Sequence, residues 1–393
     1  MPVLFGVDAW ITRPADALKK LKLGLVTSNV ATCAFNGETA RVALRRAGFN
    51  IVRLFSPEHG LGATAADGAQ VDDHADPATN LPVKSLYGET NRPQLEWLED
   101  LDAVAFDIPD VGARFYTYIW TLSHVMEACA EARKPLYLLD RPNPIGGRLE
   151  DAEGPTLDEV NLSSFVGRWN IPVRYSLTTG ELAQLWNAER NIGCDLHIVK
   201  VTGWKRTDHW PATGLKFVQL SPAMPSYETA LIYPGTCLIE GTNLSEGRGT
   251  TAPFQLIGAP WIDARRVSET FNAIQLPGIV SDPVEFTPEG RKYAGEICHG
   301  IKLRITDPIT LRPVAAGLRL LATIIRLHPE QFEWLPYPTA AAGKGLQHFD
   351  RLIGRLDIRE ALEHQRDDLP EKIQQWTQTE NWAARVKDHL LYS

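Results

Sequence analysis

The sequence predicts an α/β fold in which a doubly wound, parallel β-sheet is followed by a smaller region that mixes strands with helices. The first observation is that short β-branched, apolar runs alternate with helix-like segments through the first half of the chain, which is typical of parallel sheets. The second is that these runs are continuously apolar, as strands covered by helices on both faces require. The third is that four of the runs end in polar residues.

Five strands are predicted in the first half, and the helices between them have residues suited to their ends. The strands read LGLVTSN, NIVRLFS, DAVAFDI, PLYLLD and DLHIVKV. In the helix TTGELAQLWNAERNIG, Thr178 and Glu181 have the spacing of a capping box, and Gly193 is a suitable C-terminal residue. The other helices are predicted in GETARVALRRAG, RPQLEWLED and YIWTLSHVMEACAEAR.

The alternating pattern changes where the stretch QLSPAMPSYETALIYPG is interrupted by three prolines, at Pro222, Pro225 and Pro234. Because proline lacks the backbone N–H that helices and sheets use, we predict a domain boundary at residues 225–235. The doubly wound domain then covers 1–228, and a smaller α+β domain covers 229–393. The second domain has one clear strand, GIKLRITD, and three helices, VAAGLRLLATIIRLHP, DIREALEHQ and LPEKIQQWTQ.

Composition and charge restrict the class of function. The chain has 393 residues, 44% of them hydrophobic and 22% charged, as in ordinary globular proteins. The formal net charge is −8, and no cluster of Lys and Arg occurs, so nucleic-acid binding is not expected. An enzyme of small neutral or anionic substrates fits this charge, with local Arg residues to bind an anion.

Missing sequence features exclude other classes. No apolar run is long enough to span a membrane, and the N-terminus has neither the basic start nor the cleavage site of a signal peptide, so a cytoplasmic location is expected. The five scattered Cys residues, without a CxxC pair, suit a reducing compartment. Without a Walker loop or a GxGxxG after the first strand, no cofactor is expected. The segment VDDHAD is interpreted as a solvated loop, and no metal is predicted.

The ends of four predicted strands carry the candidate site. In doubly wound sheets, ligands bind beyond the carboxyl ends of the strands, and these ends cover residues 27–29, 56–60, 107–118 and 140–147. Asn29 ends the first strand and Asn143 follows the fourth. We expect both amides to contribute to binding.

Glu58 is the strongest candidate for catalysis. It lies in the turn Ser-Pro-Glu-His-Gly, where proline and glycine favour presentation of the side chain over burial. A carboxyl group that is partly desolvated in a cleft can hold a proton near neutral pH and act as a general acid. The alternatives are a helix N-cap or a surface ion pair. His59 would orient Glu58, bind substrate or cap the next turn.

Two further polar segments complete the predicted site. Asp110, Arg114 and Tyr116 follow the third strand, and the planar guanidinium of Arg114 suits a substrate carboxylate. The alternative for Arg114 is an internal Asp–Arg salt bridge that shapes the loop. The second segment is EGTNLSEGRGTT, in which glycines would let the backbone approach a ligand. The alternative is that this segment is a plain surface loop. Its candidate residues are Glu240, Asn243, Glu246 and Arg248.

Long motifs resemble those of the exo-β-N-acetylmuramidase (NamZ-type) glycoside hydrolases over nearly the whole chain. The resemblance rests on FSPEHG, KSLYGE, FDIPDVGARFYTYIWTL, LDRPNPIGG, LSPAMPSYETALIYPGTCLIEGTNLSEGRGTTAPFQLIGAPWID and FDRLIG. It implies a Rossmann-like N-terminal domain and a smaller C-terminal domain, with the active site between them. It also implies release of terminal N-acetylmuramic acid from the non-reducing end of peptidoglycan fragments in cell-wall turnover and recycling, without a nucleotide.

The resemblance also implies roles for individual residues. Glu58 matches the family's candidate catalytic acid, and Asp110, Glu240 or Glu246 would be the second acid of a retaining, inverting or substrate-assisted mechanism. Arg114 or Arg248 would hold the lactyl carboxylate. Where the family often has Arg-Gly after the turn, this chain has Gly62 and Ala63, so an Arg is missing there. A non-catalytic protein that binds muropeptides or amino sugars is the alternative function.

Overall fold

The computed structural model describes residues 1–13, 16–65, 69, 72–88, 90–336, 346–365 and 367–393. In these residues the first half of the chain forms one sheet of seven strands. The strands are β1 (Leu23–Thr27), β2 (Ile51–Ser56), β3 (His74–Ala75), β4 (Pro82–Ser85), β5 (Ala103–Asp107), β6 (Leu136–Leu139) and β7 (Leu196–Val199).

The strand order of this sheet is β3-β4-β2-β1-β5-β6-β7, and only the β3–β4 pair is antiparallel. Without the two-residue edge strand β3, this is the order of a doubly wound nucleotide-binding-type sheet, which reverses direction between β1 and β5. The predicted fold class is confirmed. The sequence pattern missed β3 and β4, because both are short and neither has a continuous apolar run.

Thirteen α-helices are present among the described residues. The predicted capping box is present in the sixth of them, where the Thr178 hydroxyl accepts from the Glu181 N–H. The helices are α1 (Gly6–Thr12), α2 (Asp16–Lys20), α3 (Ala40–Arg46), α4 (Tyr118–Glu131), α5 (Glu159–Leu162), α6 (Thr179–Glu189), α7 (Tyr227–Thr236), α8 (Ala264–Asn272), α9 (Pro313–Leu327), α10 (His348–Ile353), α11 (Asp357–His364), α12 (Leu369–Thr377) and α13 (Trp382–Val386).

A second, smaller sheet lies in the C-terminal half. Its strands are antiparallel in the order β8-β10-β9, with β8 at Leu256–Ala259, β9 at Ile279–Phe286 and β10 at Cys298–Ile305. Helix α8 packs on this sheet, and α9 packs beside it with ten of its fifteen residues buried. The predicted α+β character of this half is therefore observed.

Helix α7 occupies most of the segment that we predicted as a domain boundary. Pro234 lies inside the helix, although proline removes one helical hydrogen bond and usually bends or ends a helix. The helix persists because nine of its ten residues are buried, so tertiary packing outweighs the local cost.

The two halves share an extensive interface. Within the C-terminal half, helices α7 and α9 cross so closely that Gly317 contacts the backbone of Gly235. The buried Glu153 carboxylate accepts the N–H groups of Val314 and Ala315 at 3.1 and 2.7 Å, which stabilises the N-terminus of α9. The C-terminal segment returns to the first sheet, where the Tyr392 hydroxyl donates to Asp140. The division into residues 1–228 and 229–393 stays a prediction.

None of the helices in the described part of the chain is long and apolar enough to cross a membrane.

The α7–α9 crossing depends on a small residue at position 317. A methyl group there would lie 2.3 Å from the Gly235 carbonyl oxygen, so we expect Gly317→Ala to lower the free energy of unfolding by about 2 kcal/mol. The control is Gly290→Ala, whose added methyl meets nothing within 4 Å. Denaturant unfolding of both variants measures the difference, and equal stabilities would contradict this packing argument.

Candidate functional site

The four polar strand ends predicted from the sequence lie side by side. Strands β2, β1, β5 and β6 are consecutive in the sheet, and Thr27 at the end of β1 pairs with Asp107 at the end of β5. The Asn29 N–H donates to the Leu61 carbonyl at 2.7 Å, which ties the first end to the second. The Asn29 side chain is exposed at this edge. Since parallel strands share one carboxyl edge, these loops form a single surface.

Glu58 lies in a tight turn directly after β2 and is only 8% exposed. The Thr117 hydroxyl, at the start of α4, donates to Glu58 Oε2 at 2.6 Å. His59 has a φ of 67°, which is uncommon for a residue other than glycine. Its Nδ1 contacts the Ala65 carbonyl at 2.8 Å, and its ring meets the edge of Tyr118. His59 therefore fixes the turn. Glu58 is oriented by the hydroxyl of Thr117, which lies in the loop after β5.

Asp110 has a buried carboxyl group, and one of its two oxygens accepts two hydrogen bonds. Its Oδ2 accepts the Gly112 N–H at 2.7 Å and the Tyr175 hydroxyl. Its Oδ1 is also buried and bonds to none of the described residues. Burial raises the pKa of Asp110 to about 6, although the hydrogen bonds from Tyr175 and Gly112 oppose this increase. Asp110 can therefore change its protonation state close to neutral pH.

Arg114 is turned into the protein and does not reach a substrate. Its side chain is fully buried, and its guanidinium donates to the carbonyls of Pro155, Ile171 and Leu352 at 2.8, 2.9 and 2.9 Å. The expected role in binding a substrate carboxylate is therefore not supported. The alternative of an Asp–Arg salt bridge is also not found among the described residues, because the hydrogen bonds of the Arg114 guanidinium there go to backbone carbonyls. Arg114 stabilises the loop that carries it.

Arg141 forms an ion pair with Asp107 at the carboxyl edge of the sheet. Its guanidinium donates to both oxygens of Asp107, at 2.7 and 3.1 Å, and to the Thr32 carbonyl at 3.0 Å. The pair joins the ends of β5 and β6, and the Arg141 side chain lies over the ring of Phe5. Such a bidentate pair holds both strand ends in a fixed geometry.

A cavity of about 660 Å³ opens beside these residues. Its apolar wall includes Phe5, Trp210 and Phe217, and its polar lining includes Asp110 and Arg141. Thr32, Lys216 and Gln219 line it as well. This mixture of aromatic walls and a few charged groups is typical of a small-molecule site. Glu58 is not among the lining residues, but Tyr118, which meets His59, contacts the Leu220 carbonyl at the cavity wall.

Asn143 and Tyr116 have structural partners. The Asn143 amide donates to the Leu177 carbonyl at 2.9 Å and accepts the Ile145 N–H at 3.1 Å, so it supports the loop after β6. Tyr116 is buried with ring centroids 4.8 Å from Tyr118 and 6.2 Å from Tyr233. Neither side chain is presented to solvent.

The candidate acids of the C-terminal loop are paired with cations. Arg248 donates to Glu240 at 2.5 Å and lies 3.3 Å from Glu246, whose other oxygen is 3.1 Å from the Lys292 ammonium. Burial raises the pKa of Glu240, but Arg248 and His348 outweigh this effect and hold that pKa well below its ordinary value. Glu240 therefore stays ionised, within an ion cluster that also contains Glu246, Arg248 and Lys292.

Asn243 belongs to the framework of the same loop. Its amide donates to the Gln331 carbonyl at 2.7 Å and its oxygen accepts the Glu333 N–H at 3.0 Å. A row of aromatic rings connects this loop to the strand ends. Tyr233 meets both Tyr116 and Phe254, and Arg248 lies over the Phe254 ring. The two predicted segments are thus brought into one region by packing.

The segment VDDHAD is held by cations of the fold. Asp73 pairs with Lys84, and Asp76 forms a buried bidentate pair with Arg41. Within the described ranges, no group of three His, Cys, Asp or Glu side chains could hold a metal ion.

A wider groove of about 970 Å³ lies between residues 154–158 and helices α11 to α13. It contains none of the predicted site residues, so the cavity beside Asp110 is the better candidate.

The structure adds to the candidate site two side chains, Thr117 and Tyr175, that the sequence analysis missed. Thr117 lies in the motif FDIPDVGARFYTYIWTL, but nothing in its local pattern distinguished it from a helix-capping residue. Tyr175 lies outside every motif considered, 65 positions after Asp110. Such a contact leaves no signal in hydrophobic periodicity, since it depends only on tertiary packing.

Comparison with known proteins finds the same family along both halves of the chain. The family description "Exo-beta-N-acetylmuramidase NamZ, N-terminal" matches residues 23–228, and its C-terminal counterpart matches residues 231–392. A curated protein of Bacillus subtilis (strain 168), "Peptidoglycan beta-N-acetylmuramidase NamZ", is 42% identical over 359 residues. The match covers 91% of this chain and 84% of the relative.

Solved structures with this fold come from Bacteroides fragilis NCTC 9343. One, described as a DUF1343 family protein, has a TM-score of 0.87 and 30% identity, and the match covers 100% of this chain and 99% of that one. A second protein of the same description has a TM-score of 0.75 and 25% identity, with the same coverage.

We expect Asp110→Asn to stabilise the fold above pH 6 and to have no such effect well below pH 4. The pKa of Asp110 is raised from 3.8 to about 6 on folding, so in the intermediate range the unfolded chain releases this proton first and folding becomes less favourable. At about 1.36 kcal/mol per pKa unit, the gain above pH 6 is on the order of 3 kcal/mol. Thermal unfolding at about pH 4 and pH 8 measures it, and a variant less stable at pH 8 than wild type would contradict the raised pKa.

Proposed function

This chain belongs to the exo-β-N-acetylmuramidase NamZ family, and from that premise we propose that it hydrolyses the glycosidic bond of terminal N-acetylmuramic acid. The resemblance seen in the sequence motifs is confirmed by the family matches and the curated relative. The protein acts as a glycosidase at the non-reducing end of peptidoglycan fragments, in cell-wall turnover and recycling. Its substrate is a small sugar or a muropeptide.

The observation that carries this proposal is the placement of two carboxyl groups at the same edge of the sheet. Glu58 follows β2 and Asp110 follows β5, with only β1 between these strands. Glycosidases use a pair of carboxyl groups, one to protonate the leaving oxygen and one to act on the other side of the bond. Glu58, held by Thr117, is the general acid.

Asp110 is the better second carboxyl group. Glu240 and Glu246 were the other candidates, but Arg248 and Lys292 neutralise both within the ion cluster. Asp110 pairs with no cation among the described residues and lines the cavity. It is therefore the acid whose charge remains available to substrate.

We favour a substrate-assisted reaction for this N-acetylated sugar. Glu58 gives its proton to the glycosidic oxygen, and the bond from that oxygen to C1 breaks while the acetamido oxygen bonds to C1. Asp110 accepts a hydrogen bond from the acetamido N–H and stabilises the positive charge that develops there. Water then adds at C1, gives its proton to the Glu58 carboxylate, and displaces the acetamido oxygen.

The cavity supplies recognition of the acidic sugar. Because Arg114, Arg141 and Arg248 are committed to carbonyls and carboxylates of the protein, the lactyl carboxylate pairs instead with Lys216, another cation of the cavity lining. The aromatic rings of the cavity wall pack against the face of the sugar. Asn29, exposed at the same edge, hydrogen-bonds a sugar hydroxyl. Gly62, where the family often has Arg, supplies no cation.

No observation favours the non-catalytic binding protein that the sequence left as an alternative. The cytoplasmic location also stays a prediction.

The direct test is release of para-nitrophenol from its β-N-acetylmuramic acid glycoside, compared with the N-acetylglucosamine analogue. We expect wild type to hydrolyse the muramic substrate, and Glu58→Gln to lower kcat by at least about 1,000-fold with little change in KM, because the proton donor is lost. Glu240→Gln is the matched control, since it removes an acid of the ion cluster only.

Hydrolysis of neither glycoside, together with tight binding of a muropeptide, would overturn the proposal in favour of a binding protein. An unchanged kcat in Glu58→Gln would remove Glu58 from the mechanism.

Thr117 gives a second prediction on the same assay. We expect Thr117→Val to lower kcat roughly 10-fold or more, because the hydrogen bond from the Thr117 hydroxyl to the Glu58 carboxyl is lost. Thr117→Ser keeps the hydroxyl and should retain most of the activity. If the two variants lose activity equally, the effect comes from the packing of the methyl group and not from the hydrogen bond.

A further inference from the structure

Tyr175 is placed so that its only polar side-chain atom acts on Asp110. The side chain is fully buried, and its hydroxyl donates to Asp110 Oδ2. Burial, followed by the nearby charge of Asp110, raises the pKa of Tyr175 well above its ordinary value. The hydroxyl therefore keeps its proton and serves as a permanent donor.

The backbone on either side of Tyr175 is fixed by contacts with distant parts of the chain. Arg174 forms bridges with Ala113 and Glu153, and the Trp382 indole N–H donates to the Tyr175 carbonyl at 2.9 Å. These contacts hold the backbone at Tyr175, and complete burial of the ring restricts rotation of its side chain, so the hydroxyl is kept against Asp110.

The hydrogen bonds to Asp110 are distributed unequally between its two oxygens. Gly112 and Tyr175 both bind Oδ2, and Oδ1 has no partner among the described residues. A carboxyl group bound in this way cannot rotate freely, because rotation would exchange a doubly bonded oxygen for an unbonded one. The arrangement selects Oδ1 as the oxygen that meets a ligand.

We propose that Tyr175 is a positioning residue of the glycosidase reaction, which holds Asp110 by Oδ2 so that Oδ1 receives the acetamido N–H of the substrate. This inference rests on the proposed function and on the role given there to Asp110. Tyr175 does not touch the substrate. It acts through Asp110, both by fixing the carboxyl plane and by favouring the ionised form, which accepts the substrate N–H.

Asp110 has a pKa of about 6, whereas the tyrosines and the thiol around it have pKa values far above this. From the segment 171–177 it meets Tyr175, and from its own loop Tyr116, whose pKa burial also raises well above the ordinary value. Across the cavity, burial raises the pKa of the Cys33 thiol to about 12. The other charged groups of the cavity lining are the cations Arg141 and Lys216. Since the reaction needs ionised Asp110, activity should rise with pH through the pKa of this group.

The test is the pH profile of Tyr175→Phe on the muramic glycoside. Loss of a hydrogen bond that stabilises the carboxylate raises the pKa of Asp110, so we expect the acidic limb of kcat/KM to move up by about one pH unit. At pH 6 kcat should fall about 10-fold, with KM changed less than about 3-fold. Tyr227→Phe is the control, because it removes a buried hydroxyl that bonds His209 instead.

Titration of the Asp110 carboxyl by carbon-13 NMR, with Asp110→Asn to assign the signal, follows the same pKa without any substrate. A Tyr175→Phe profile and titration that superimpose on wild type, in a variant that melts no lower than Tyr227→Phe, would overturn the proposal. Failure of the proposed function would look different, because wild type would then release no product while the NMR titration still responded to Tyr175→Phe. An Asp110→Asn variant with wild-type kcat would likewise overturn the role of Tyr175.

Discussion

The geometry of the site depends on one buried guanidinium. Arg114 binds three backbone carbonyls that come from residues 155, 171 and 352, and the Trp120 indole N–H binds the Arg114 carbonyl. Burial lowers the pKa of Arg114 to about 9, which reflects the cost of removing this cation from water. The three carbonyls offset part of that cost, and because they come from both halves of the chain, Arg114 ties the loop to both.

This loop determines the placement of both proposed catalytic carboxyl groups. Asp110 lies before Arg114 in the loop, and Thr117, which holds Glu58, lies after it. The two acids come from different strands, yet their orientation is set by one short segment with its centre fixed by Arg114. Reactive groups held on a rigid framework cost little reorganisation during the reaction. A shift of this segment would therefore disturb both acids at once.

The acidic side chains of this region fall into two electrostatic groups. Those of the C-terminal loop are paired with Arg248, Lys292 and His348, and Arg248 and His348 hold the pKa of Glu240 well below its ordinary value. Asp110 is bound only by neutral donors in a buried environment, so its pKa rises to about 6. A carboxyl group with such a pKa opposes folding at neutral pH, and sites that carry out acid–base chemistry commonly retain this kind of cost.

The sequence by itself determined the alternating strands and helices of the parallel sheet, the polar ends of four strands and the turn that carries Glu58, although Glu58 is buried where the turn predicted a presented side chain. These features are local, since continuous apolar runs, capping residues and a Pro-Glu-His-Gly turn act within a few positions. The same local reasoning predicted that Arg114, Asn143 and Asn243 bind substrate, because a polar residue in a loop looks alike whether it faces a ligand or a carbonyl. Only the tertiary structure brought distant carbonyls to these side chains and placed Tyr175 against Asp110, because such contacts join segments whose separation along the chain carries no periodic signal.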